Sequence, residues 1–260
     1  MKHVAPVDFC LLTNRETGTG NKLNEPVKML KLKNHFSKAL VLFAVSSIGS
    51  CSSIQEGSNK ISEGEITYEL SYPQFGDDNL IASMFPSSMS FKFKDNMTRS
   101  DLKTRMAVFS TTFITDKDSR TLTHLVRIAN KKSGLVLDSS QIMRDYAKQP
   151  DDMQITKTDS TKEIAGYTCK HALVTFEGKP EKSYDLYYTE DIAISDPNWC
   201  SPYQEIPGVL MEARVKKFNI EMMITASAVV ESDFEAAEFV IADDFEPITQ
   251  EEMEDIFQSF

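Results

Sequence analysis

The 260-residue sequence predicts a mainly β protein of the α+β class, a strongly curved antiparallel sheet with two or three helices packed against its concave face. Three observations carry that expectation. Apolar residues recur at every second position through most of the chain beyond residue 63, turn residues punctuate those runs at short intervals, and no strand–helix–strand rhythm appears that would build a parallel sheet.

The first strand is written by Ile66, Tyr68, Leu70 and Tyr72, alternating with Glu65, Thr67, Glu69 and Ser71 and ended by Pro73. Met89, Phe91 and Phe93 repeat the period before an Asp95-Asn96 turn, and Phe109, Thr111 and Phe113 resume it after the polar stretch 99–105. Residues 119–128 and 134–137 follow as strands, separated by Asp116-Lys117-Asp118 and by the turn at 130–134. A serine cap before Ile142, Met143 and Tyr146 predicts a short helix over 139–147, and a second helical segment is read at 77–86. Strands then return at 167–176, 184–189, 209–215, 218–225 and 239–241. Thr249 and Glu252 have capping-box spacing, and Met253, Ile256, Phe257 and Phe260 at i, i+3, i+4, i+7 predict a closing amphipathic helix lying on the sheet. No Pro/Gly-rich linker divides 63–260, which reads as one domain.

The N-terminal region has a different character. Residues 1–50 hold seven Lys/Arg and three acids, about +4, so the formal charge of −11 resolves into about −15 for the remainder. Lys31, Lys33 and Lys38 precede an apolar run from Ala39 to Ile48, which passes into small residues before Cys51. That order is the n-region, h-region and cleavage region of a secretory signal, and a run of about 10 residues is short of the ~20 that cross a membrane. Ile48-Gly49-Ser50-Cys51 resembles a bacterial lipobox, which implies a lipid-modified Cys51; an ordinary signal peptide with a coincidental cysteine, or a cytosolic protein with an apolar patch, is the alternative. The expected organisation is an over-called extension at 1–28, a lipoprotein signal at 29–50, a flexible tether at 51–62 and the domain at 63–260. The bases are too few and too scattered for a phosphate-backbone binder, so no nucleic acid is expected as partner.

Motifs for chemistry are sparse. HExxH, CxxC, GxSxG, GxxxxGK[ST] and GxGxxG are all absent, and neither cofactor nor metal is expected. Cys169 and Cys200 are the two cysteines of the mature body, read as a disulfide in an oxidising compartment, with two buried free thiols as the rival. His171, two residues from Cys169 on a predicted strand, makes a Cys/His pair conceivable, but i, i+2 side chains lie about 7 Å apart, too far for a direct hydrogen bond. Eleven acids and no Lys or Arg fall in 231–260; without EF-hand spacing they read as a solvated face. The frequent Met and Phe residues suit an adaptable apolar cavity or fill an ordinary core; the cavity reading assigns its lining to Tyr68, Leu70, Met89, Phe91, Phe93, Phe109 and Phe113.

Between Lys162 and Glu212 the segments IAGYTCKHALVTF, YYTEDI and IPGVLME resemble the GLPGLI-type lipoproteins of unknown function from Bacteroidota, which are similar to the LolA/LolB-like lipoprotein-carrier superfamily. Ile206-Pro207-Gly208-Val209-Leu210 stands where that family has Leu-Pro-Gly-Leu-Ile, and it reads as a structural turn, with nothing nucleophilic or metal-binding in it. The resemblance implies an unclosed β-barrel whose concave apolar face is covered by helices and, in the carriers, holds acyl chains. No ligand-binding residue transfers from it.

The function expected is therefore that of a non-enzymatic, membrane-anchored outer-membrane lipoprotein that holds a lipid, acyl chain or other apolar ligand. The alternative is an envelope structural or assembly protein docking an outer-membrane partner, and an enzyme using Cys169 and His171 is a third reading. Ser52-Ser53-Ile54-Gln55-Glu56 lacks an acidic cluster of the surface-export kind, which favours the periplasmic side over the cell surface.

Overall fold

The computed structural model describes residues 60–75, 84–104, 109–217 and 220–258. The extension at 1–28, the signal at 29–50, Cys51 with nearly all of its tether, most of the 77–86 segment and Phe260 lie outside the described residues. Those residues form one twelve-stranded sheet and two α-helices. The chain runs β1 (Glu63–Ser71), β2 (Ser88–Lys94), β3 (Met97–Lys103), β4 (Phe109–Asp116), β5 (Thr121–Ile128), β6 (Lys131–Leu137), α1 (Ser139–Asp145), β7 (Met153–Ile164), β8 (Tyr167–Phe176), β9 (Tyr184–Thr189), β10 (Val209–Lys217), β11 (Ile220–Glu231), β12 (Glu246–Pro247) and α2 (Gln250–Gln258).

The spatial order is β12-β6-β5-β4-β3-β2-β1-β11-β10-β9-β8-β7, antiparallel throughout except for the parallel β12–β6 pair. The sheet is unclosed, with β12 and β7 at its edges. Two meanders, β1 to β6 and β7 to β11, join where β11 pairs with β1, Leu70 opposite Ile224. In a flat sheet β7 and β11, four steps apart, would be separated by about 19 Å. Residues of the two strands nevertheless come within 8 Å, Cα to Cα, so this half curls strongly.

Two strands escape the alternation rule. β3 reads as polar because Arg99 and Asp101 share one of its faces, where they neutralise each other: Arg99 Nε donates to Asp101 Oδ2 at 2.7 Å and Nη2 to Oδ1 at 3.0 Å. β7 buries only its two ends, Met153 and Ile164, and exposes Lys157, Asp159, Lys162 and Glu163 between them. Such charges on a sheet edge discourage pairing with another chain. The strand expected at 239–241 is corrected: Ala236–Phe239 is a 3-10 turn, Phe239 is buried, and Val240 is 61% exposed. The segment from Ser232 to Phe245 crosses the face of the sheet and does not extend it. It is pinned by Lys94 Nζ donating to the Phe234 carbonyl at 2.6 Å, Arg99 Nη1 donating to the Glu238 carbonyl at 2.8 Å, and a Lys92–Glu238 ion pair. The cap of α1 also differs: Asp138, one residue before the serine, accepts from the amides of Ser140 (2.9 Å) and Gln141 (3.0 Å), while Gln141 Oε1 accepts from the Asp138 amide. α2 carries the expected box, with the Glu252 amide donating to Thr249 Oγ1 and the Thr249 amide to Glu252 Oε2.

The interior divides into three clusters. The largest gathers Ile66, Tyr68, Phe93 and Leu102 with Val174, Leu186, Met211 and Ile224 of the curled half. A second joins Leu122, Val126, Leu135 and Leu137 of β5 and β6 to Ile142 of α1, Met253 of α2 and Trp199. The third lies on the other face of β4 and β5, where Ile114 and Leu125 meet Phe239. Burying a side chain such as Phe93 or Met253 contributes roughly 1.5–3 kcal/mol, which is how α2, only nine residues long, is held in place.

Candidate functional site

Cross-strand register collects the apolar residues singled out in the sequence on one face of the sheet. Gly64 opposes Phe93, Ile66 opposes Phe91 and Tyr68 opposes Met89 across β1 and β2. Phe91 opposes Ser100 of β3, and Ser100 opposes Phe113 of β4. Because residues directly opposite share a face, Tyr68, Leu70, Met89, Phe91, Phe93, Phe109 and Phe113 are aligned by pairing. Their environments differ. Tyr68, Leu70 and Phe93 are 3, 9 and 1% exposed and belong to the core, whereas Met89, Phe91, Phe109 and Phe113 are only half-buried. Met89, Phe91, Phe109 and Phe113 thus form a partly buried apolar strip along the first and second clusters, and Phe113 packs against both.

The rings of the strip pack in mixed geometries. Tyr68 and Phe91 have centroids 6.2 Å apart with planes at 86°, and Phe91 and Phe93 follow at 6.5 Å. His124, fully buried, stacks on Phe113 at 4.3 Å and on Phe257 of α2 at 5.5 Å, and its Nε2 is bonded to Thr111 Oγ1 at 2.8 Å. Phe257 also meets Phe109 edge-on at 5.9 Å, so α2 borders one end of the strip. Tyr68 donates its hydroxyl to the Leu210 carbonyl at 2.8 Å, and burial pushes its phenol far above the usual range.

The segment between β9 and β10 links the two clusters. Ile192, Ile194, Tyr203 and Ile206 enter the first and Trp199 the second, with Arg120 over the indole at 5.2 Å. Its closing turn is the Ile206-Pro207-Gly208-Val209-Leu210 motif, and the structure gives each part a reason. Asn198, 5% exposed, donates one amide proton to the Ile206 carbonyl and the other to the Gly208 carbonyl, both at 2.8 Å. Gly208 is pressed onto Thr189, where a Cβ would sit 2.3 Å from the carbonyl oxygen. Val209 then begins β10 opposite Thr189, and Pro207 stays exposed. The sequence marks Asp196-Pro197-Asn198 as a turn, but the bonds of Asn198 and the burial of Trp199, the next residue, come only from the structure.

The expected Cys169–Cys200 bridge is not formed. Cys169 is a free thiol on β8, fully buried in the first cluster, while Cys200 packs half-buried against the second. Burial pushes the Cys169 thiol up to about 11, which keeps it protonated, and it donates to the Tyr167 carbonyl at 3.3 Å. His171 engages other partners: its Nδ1 lies 2.8 Å from Thr158 Oγ1 and its Nε2 2.9 Å from Asp185 Oδ1. Among the described residues no three His, Cys, Asp or Glu side chains converge as a metal site, and no helix is long and apolar enough to cross a membrane.

Fold and site together define a protein with an unclosed β-sheet and a half-buried apolar strip on one face. Residues 79–197 match the family model of a domain of unknown function, DUF4412. That stretch takes in β2 to β9 and hence Met89, Phe91, Ser100, Phe109 and Phe113, and it ends before the Ile206–Leu210 turn. No curated protein matches the chain.

Proposed function

We propose that this protein is a periplasm-facing outer-membrane lipoprotein, anchored through a lipid on Cys51, that holds an apolar ligand on the strip formed by Met89, Phe91, Phe109 and Phe113. The half-barrel of the LolA/LolB-like carriers, with α1 and α2 against its concave face, is the architecture this reading assumes. One observation carries the reading: four large apolar side chains on β2 and β4, which flank β3, stay only half-buried while most of their neighbours on the same face are buried. Apolar area left partly accessible to water is unfavourable and, where it is contiguous, marks binding surfaces. The charge of about −15 beyond residue 50 opposes adhesion to anionic head groups, which leaves apolar contact to hold a cargo. Native mass spectrometry of protein purified without detergent is expected to show a bound lipid, or uptake of one from a neutral fluorescent acyl probe. Replacing Phe91 and Phe113 together by Ser should reduce that uptake at least tenfold with the fold intact. A well-folded protein that arrives empty and takes up no probe would overturn the proposal.

A further inference from the structure

The face that carries the strip has an unusual polar census. Over β1 to β5 its positions are Gly64, Ile66, Tyr68 and Leu70; Met89, Phe91 and Phe93; Thr98, Ser100 and Leu102; Phe109, Thr111, Phe113 and Thr115; and Leu122, His124, Val126 and Ile128. None is a Lys, Arg, Asp or Glu, and the one imidazole, His124, is enclosed between Phe113 and Phe257 and bonded to Thr111. The hydroxyls are committed to internal partners. Tyr68 donates to the Leu210 carbonyl, Thr98 and Thr115 bond each other at 2.7 Å, and Thr111 is bonded to His124. The exception is Ser100: its Oγ has no hydrogen-bond partner among the described residues, it is half-buried, and it lies directly between Phe91 and Phe113.

Resting on the reading of this strip as an apolar-ligand site, we infer that its ligand is an uncharged lipid ester, bound with an internal carbonyl oxygen accepting a hydrogen bond from Ser100 and with apolar chain extending along the strip on both sides. A carboxylate against Ser100 would be stripped of water with no cation on the face to pair it, a cost of several kcal/mol by general experience with buried charges. An ester carbonyl at the same place needs a single neutral donor, and Ser100 is that donor. The charge pattern therefore selects the occupant: no charge on the strip and excess negative charge on the chain both disfavour an anionic ligand.

The test compares methyl dodecanoate, dodecanoate and dodecane as displacers of a bound neutral probe, N-phenyl-1-naphthylamine, at pH 8, with the wild-type chain and with Ser100→Ala. The ester is expected to displace the probe at least tenfold more effectively than the anion. Ser100→Ala should weaken the ester by about 2- to 10-fold, as loss of one neutral hydrogen bond predicts, and leave dodecane unchanged. Equal displacement by ester and anion, or a Ser100→Ala effect shared by ester and alkane, overturns this inference while the apolar strip stands. Failure of all three compounds, and of the probe, to bind overturns both.

Discussion

Asn198 offers the sharpest test of how the turn between the two clusters is held. Its two amide protons are both spent on buried carbonyls, Ile206 and Gly208, at 2.8 Å each, and no water-exposed route is open to a side chain 5% accessible. Asn198→Ala leaves two acceptors unsatisfied at about 1–3 kcal/mol each, so roughly 2–6 kcal/mol in all, a large share of the 5–15 kcal/mol that holds a typical domain together. Asn198→Asp keeps the shape and inverts the chemistry, setting a carboxylate against two carbonyl oxygens. Burial and those facing oxygens raise the folded-state pKa of the introduced carboxyl above its unfolded value of about 3.9. The penalty is then full above the folded-state pKa and shrinks as pH falls below it, when the protonated carboxyl can donate to one carbonyl. Urea unfolding followed by far-UV circular dichroism at pH 7 and pH 4.5 should show Asn198→Asp at least as destabilised as Asn198→Ala at the higher pH and partly recovered at the lower. A loss under about 1 kcal/mol, or one independent of pH, would refute the reasoning.

Three further outcomes follow from the same geometry. Gly208→Ala places a methyl 2.3 Å from the Thr189 carbonyl oxygen, backbone that cannot swing away, and is expected to shift the β9–β10 register and lower the urea midpoint more than an alanine at exposed Gly178. Cys169 should resist iodoacetamide at pH 8 in the native protein and react once urea unfolds it, because burial holds the thiol near 11; rapid native labelling would contradict its placement. Burial raises the Asp101 carboxyl, but hydrogen bonds from Arg99 at 2.7 Å and Thr112 at 2.6 Å outweigh it and hold the group below the usual range. A depressed folded-state pKa gives stability that is present above the unfolded value and lost as pH falls through the folded one. Asp101→Asn should therefore be less stable than wild type at pH 7, with the difference closing below about pH 4; a constant difference would count against the ion pair.

The strands legible in the sequence were those whose two faces meet different surroundings. β1 and β2 alternate because one face is apolar and the other polar, and their polar residues bond in pairs, as Glu63 does with Lys94. β3 and β7 break that assumption for separate reasons. In β3 the polarity belongs to an Arg99–Asp101 pair neutralised within the strand, and in β7 to the charges that guard a sheet edge. Neither is visible as periodicity. The residues of the strip were nameable in advance, since large apolar side chains at i, i+2 must share a face; which of them are buried was not, because that depends on strands brought from elsewhere.

The sequence by itself determined the alternating strands, the capping box of α2 and the turn residues, because those depend on neighbours within a few positions. Only the tertiary structure decided that Phe93 is core while Phe91 stays half-buried, that Cys169 and Cys200 enter different clusters, and that Ser100 falls between phenylalanines of the two strands flanking β3. Each of these outcomes is set by pairings and packing between residues far apart in the chain, and by the curl that brings β7 against β11. No local pattern encodes them.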